Sequence, residues 1–82
     1  MENPTNKGLG PYQPVACHLH DRLEDLAVRR KVCALRYYDD LGTVTEAAGT
    51  ITDIYSRDQA EYLDLDSGLT VRLDALVSFE EL

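Results

Sequence analysis

Within one short stretch, Cys17, His18, His20, Asp21 and Glu24 bring together a thiol, two imidazoles and two carboxylates. Such groups can ligate a metal, build an activated nucleophile or present a charged edge to another molecule. A structural zinc site takes four ligands, mostly sulfur and nitrogen. Cys17-x-x-His20 makes one pair and Cys33 offers a third donor, but no second Cys or His pair follows. A Cys17/His20 nucleophile would need an orienting group and an oxyanion site. Asp21 is adjacent to His20 in sequence only, and the chain carries no glycine-rich phosphate loop and no further histidine. The expectation is therefore a non-enzyme with no metal and no cofactor. Its carboxylates are read instead as a surface, with Cys17 and Cys33 as small buried hydrophobes, the usual role of free cysteine.

The elements that would hold this surface follow from spacing. Met1 to Gly10 is polar and contains Gly and Pro, and reads as a disordered tail ahead of one domain over 11–82. Pro14 pushes Gln13 out of the helical region, so Tyr12 to Pro14 is extended. A helix of about ten residues is expected from near Asp21, with Asp21 as N-cap and Glu24 three positions on as in a capping box. Leu23, Leu26 and Ala27 give its apolar stripe. Asp21, Glu24 and Asp25 would stand at the positive end of the helix dipole and Arg29, Arg30 and Lys31 at the negative end.

Beyond Lys31 the period becomes two. Val32 to Tyr38 reads as a strand closed by the turn Asp39-Asp40-Leu41-Gly42, and Thr43 to Ser56 as one long strand bent or bulged at Gly49. Arg57-Asp58-Gln59 is a short connection. Leu63 and Leu65 face opposite to Tyr62, Asp64 and Asp66, and Ser67-Gly68 marks a hairpin turn. Leu69, Val71 and Leu73 alternate with Thr70, Arg72 and Asp74. Asp74-Ala75 then turns the chain before Val77-Ser78-Phe79. The sum is mostly β: one N-terminal helix and about five antiparallel strands, the second long and bent, curled into a small barrel that covers its edges.

Eighty-two residues with 15 acidic and 8 basic side chains carry a formal charge of −7. A chain this short buries only about 60% of its unfolded surface, enough for one modest core. Its charge repels phosphate backbones and anionic lipid and attracts basic proteins. No apolar run approaches the roughly 20 residues of a membrane span, and no secretory h-region is seen, which points to the cytoplasm. Tyr37, Tyr38, Tyr55 and Tyr62 could stack RNA bases. Arg36, Arg57 and Arg72 are outnumbered nearby by Asp39, Asp40, Asp53, Asp58, Asp64 and Asp66. Direct nucleic-acid binding is thus the lesser expectation.

Taken in order, Tyr12-Gln13-Pro14, Cys17, Asp21-x-Leu23-Glu24, Ala60-Glu61-Tyr62-Leu63, Arg72-Leu73-Asp74 and Ser78-Phe79 resemble the Rof family, the Rho-binding antiterminators of bacteria. The resemblance covers about residues 12 to 79. It implies an Sm-like barrel with an N-terminal helix, and a monomer is expected. It also implies that the hexameric terminator ATPase Rho is the partner, its primary RNA site being occluded so that termination is inhibited. The implied contact residues are His20, Asp21 and Glu24 at the helix start, and Arg57, Asp58 and Gln59 in the strand connection. Asp25 joins them as a further carboxylate aimed at basic groups. His20 stands where the family can have tyrosine, and Asp58 where it can have a basic residue. An Sm-like RNA-binding module is the alternative.

Overall fold

The computed structural model describes residues 11–82, so the tail expected over 1–10 lies outside the described residues. One helix and five strands follow in order: α1 (Cys17–Val28), β1 (Val32–Tyr38), β2 (Val44–Arg57), β3 (Ala60–Leu65), β4 (Thr70–Arg72) and β5 (Leu76–Glu81), with a 3-10 turn over Leu73–Ala75 before β5.

Helix α1 begins four residues ahead of Asp21. Ala16 is the N-cap, its backbone still extended after Pro14, and its carbonyl accepts from the amides of Leu19 and His20 at 3.0 and 3.2 Å. Asp21 and Glu24 are therefore not a capping box but stand inside the helix. The local pattern fitted a cap; the apolar stripe overrode it, because half-buried Leu19 lies one turn ahead of buried Leu23 and Leu26 on the same face. At the other end Arg29 is the C-cap and Arg30 adopts φ 52°. The amides of Arg30 and Lys31 return to the carbonyls of Ala27 and Leu26, a Schellman closure with arginine at the position glycine usually fills. The basic run thus lies just past the helix and not in its last turn.

The strands pair antiparallel in the order β4-β3-β2-β1-β5. β1 has the bounds its alternation gave. β2 is long and shared: residues 44–50 pair with β1 and residues 51–57 with β3. The register shift lies between Ile51 and Asp53, so the bulge falls on Thr52, whereas Gly49 pairs regularly with Cys33. Gly49 has another reason to be glycine. A Cβ there would stand 2.6 Å from Asp66 Oδ1, and Asp66 clips the bend by accepting from Thr50 N at 3.3 Å while donating its own amide to Thr50 O at 2.9 Å.

The inner face buries Cys33, Leu35, Ile51, Leu63, Leu65 and Val71 against Leu23 and Leu26 of α1, with Leu73 and Ala75 from the 3-10 turn. Cys33 is a buried hydrophobe as expected, and burial pushes its thiol pKa up. Cys17 is not: it is exposed on α1, because the earlier helix start carries it off the core. β4 and β5 form the two edges, and the expected closure into a barrel is not among the described pairings. Tyr37, Tyr38, Leu41, Leu69 and Val71 line part of a cleft of about 530 Å3. Among the described residues no helix is long and apolar enough to cross a membrane.

Gly49→Ala should destabilise the domain by about 1–2 kcal/mol, through displacement of Asp66 and its amide bond. In an Asp66→Ala background the same change should cost little. Urea unfolding of the four proteins checks this, and equal costs in both backgrounds would remove Asp66 as the reason for Gly49.

Candidate docking surface

Arg72 lies on β4 with only 2% of its surface exposed. A buried guanidinium needs a charge partner and satisfied donors. Asp74 supplies the partner two residues on, where the 3-10 turn folds the chain back: Nε bonds Oδ1 at 2.5 Å and Nη2 bonds Oδ2 at 2.7 Å. Nη2 also donates to Pro11 O at 3.3 Å, and Asp74 Oδ2 accepts from Gln13 N at 2.9 Å. The Tyr12 ring covers the guanidinium, 5.5 Å from its centroid, at cation–π distance. The extended lead-in is thus fastened along β4 by both members of one ion pair.

Tyr12 then reaches β3. Its hydroxyl donates to Glu61 Oε1 at 3.0 Å. Burial first, and the hydrogen bond to Glu61 second, push the Tyr12 pKa up to about 12. The hydroxyl therefore remains a donor through the neutral range. Glu61 Oε2 stands 3.0 Å from His20 Nε2, and His20 Nδ1 stands 3.1 Å from Glu24 Oε1 one turn along α1. Lead-in, β3 and α1 are so joined in a chain from Tyr12 through Glu61 and His20 to Glu24.

The expected contact residues fall around this chain. Asp21, Glu24 and Asp25 are exposed on α1 and His20 is half-buried beside them. Asp25 binds Arg29 one turn on at 2.8 Å, and Arg29 also reaches Glu81 of β5 at 3.3 Å. The Asp25 carboxylate is therefore partly compensated, and such exposed pairs are worth little in stability. Arg57, Asp58 and Gln59 are exposed at the β2–β3 turn. Arg57 pairs with Ala60, and Asp58 and Gln59 have φ of 51° and 67°, the two-residue turn whose twist suits a hairpin. Glu61 directly follows Ala60, so the helix and this hairpin meet through His20 and Glu61. Glu61 was not among the expected contact residues; Tyr12 and Glu61 were visible only as members of separate sequence blocks.

Donor atoms of His20, Asp21 and Glu24 lie within 4.8 Å of one another. The two ring nitrogens of His20 face carboxylate oxygens, Glu24 Oε1 and Glu61 Oε2. Cys33 is in the core with its Sγ on Gly49 O, so it does not join Cys17 and His20 as a third donor would. Of the tyrosines weighed for stacking, Tyr55 and Tyr62 lie on β2 and β3. Tyr62 is buried, and the Tyr55 ring stacks on it at 5.7 Å. Asp64 Oδ1 accepts from Tyr55 Oη at 3.0 Å and from Thr70 Oγ1 at 2.8 Å. Burial, then the bond to Asp64, raises the Tyr55 pKa. Tyr55 and Tyr62 are thus packed on each other, whereas Tyr38 on β1 is exposed. Compared with family models, curated proteins and solved structures, the chain has no match.

Arg72→Met should cost about 3 kcal/mol, because it leaves Asp74 without its charge partner. Arg72→Lys should recover little of this, since an ammonium does not reproduce the two parallel bonds. Urea unfolding measures both, and a lysine variant as stable as the parent would contradict the bidentate role.

Proposed function

We propose that the protein is a non-enzymatic regulator of the Rof type. It binds the RNA-binding domain of the Rho terminator ATPase, keeps RNA from Rho's primary site and so inhibits Rho-dependent termination. The setting is the bacterial cytoplasm, and the protein acts as a monomer. The observation that carries the reading is the junction of α1 with the β2–β3 hairpin through His20 and Glu61. It makes the acidic residues Asp21, Glu24 and Asp25 neighbours of the hairpin bearing Arg57, Asp58 and Gln59, the two segments that the family resemblance implies as contacts.

Two further points support it. Tyr12-Gln13, Glu61 and Arg72-Asp74 come from three separate blocks of the resemblance and are bonded to one another. The strand order suits an Sm-like barrel, in which the 3-10 turn Leu73–Ala75 carries the chain from β4 at one edge to β5 at the other. The mechanism is competition by charge. An RNA-binding cleft is lined with basic groups, and exposed carboxylates can satisfy them in place of phosphates. Such contacts weaken as salt rises, because exposed charges are screened within about 10 Å at 0.1 M. The RNA-binding alternative has less support, since Tyr55 and Tyr62 are stacked on each other and Tyr55 is bonded to Asp64.

The double variant Asp21→Lys, Glu24→Lys should bind Rho roughly thirtyfold more weakly or worse, the scale of about 2–5 kcal/mol for charge pairs at an interface. Its circular dichroism should match the parent, because both side chains are exposed and neither caps the helix. A folded double variant that Rho retains as well as the parent would overturn the assignment of this face.

A further inference from the structure

We propose that His20 is a proton-operated positioning residue: as imidazolium it ties α1 to β3, and its charge sets how much free carboxylate the docking surface presents. The role in docking rests on the Rho-binding reading; the tie between α1 and β3 does not.

The geometry is restrictive. His20 Nε2 faces Glu61 Oε2 at 3.0 Å and Nδ1 faces Glu24 Oε1 at 3.1 Å. Both opposing atoms are carboxylate oxygens, which only accept when ionised. The neutral ring carries one N–H, so one nitrogen then offers a lone pair to an acceptor. The imidazolium donates from both nitrogens and satisfies both contacts. Glu61 has no freedom to turn away cheaply, because its other oxygen is held by the Tyr12 hydroxyl at 3.0 Å.

The groups around the ring are accounted for by element. Glu24 and Asp21 face it from α1, with Asp21 inside the same 4.8 Å cluster. Glu61 faces it from β3. Behind Glu61 stands Tyr12 of the lead-in, and behind Tyr12 the Arg72–Asp74 pair. The side chains of His20, Glu61 and Glu24 become steadily more exposed, at 24%, 31% and 54%. The ring is thus sheltered enough to be positioned and open enough to exchange its proton with solvent.

Two consequences follow for charge. With the imidazolium present, the three groups sum to one negative charge and Glu24 is held against the ring. With the neutral ring they sum to two, and one carboxylate is released toward a basic partner. Binding to Rho should therefore weaken as His20 takes up its proton, by about threefold for one unit charge near 6 Å in a water-like dielectric.

The test has two arms. In the free protein, long-range 1H–15N spectra follow the His20 ring from about pH 5 to pH 8, the range in which histidine changes charge. Backbone amides of residues 21–24 and 60–62 are followed with it. The expected result is one common titration in both segments, lost from 60–62 in Glu61→Gln and from both in His20→Gln, which retains His18 as a control. Amides at 60–62 that stay fixed while the ring titrates would overturn the tie. In the second arm, Rho affinity should fall about threefold from the high to the low end of that range for the parent and stay flat for His20→Gln. An equal pH dependence in both proteins would overturn the docking role while leaving Rho binding intact. Common titration without any Rho binding would instead retain the tie and remove the partner.

Discussion

The buried Arg72–Asp74 pair is the constraint around which the outer half of this domain is arranged. A guanidinium withdrawn from water is tolerable only when its charge is matched and its donors are used. Asp74 matches the charge from the 3-10 turn, Pro11 O takes a further donor, and Tyr12 covers the plane. The lead-in has no helix or strand of its own, and this pair fixes it. Once Tyr12 is fixed, Glu61 is oriented by its hydroxyl, His20 by Glu61, and Glu24 by His20. An interaction in the interior thus determines where surface carboxylates stand several contacts away.

This order of dependence explains which features could be read from the sequence. β1 was legible to its ends because alternation is local and Asp39 closes it with a strong turn, accepting from the amides of Leu41 and Thr43 at 2.9 Å. The Ser67-Gly68 turn was legible for the same reason, with Gly68 at φ 95°. The apolar stripe of α1 is legible, but its start at Cys17 is not. Asp21-x-x-Glu24 fits a capping box in isolation, whereas the helix starts at Cys17 and half-buried Leu19 already stands on the face of Leu23 and Leu26. Gly49 marked an irregular place in β2, yet the cause is Asp66 approaching from across the sheet, and the bulge sits on Thr52. Contacts of that kind join residues far apart in the chain, and no spacing rule reports them.

The same limit applies to the docking surface. The acidic residues of α1 and the β2–β3 connection were each visible as segments, and Asp21, Glu24 and Asp25 are exposed as a charged surface requires. Their junction was not visible, because Glu61 looked like one more alternating residue of β3. Its importance comes from two neighbours supplied by distant parts of the chain, Tyr12 and His20. Cys17 illustrates the converse. Its type suggested burial, and the position of the helix start decided otherwise. The cluster that looks fit for chemistry in the sequence is, in three dimensions, a surface network in which His20 lies between Glu24 and Glu61.

The most direct measurement is displacement of a labelled single-stranded RNA already bound to Rho, titrated with this protein and followed by fluorescence anisotropy. If the acidic face occupies the primary site, the RNA should be released in full as the protein saturates Rho, and excess RNA should reverse it. Stable retention of RNA on Rho at saturating protein, or no association with Rho at all, would contradict competition at that site.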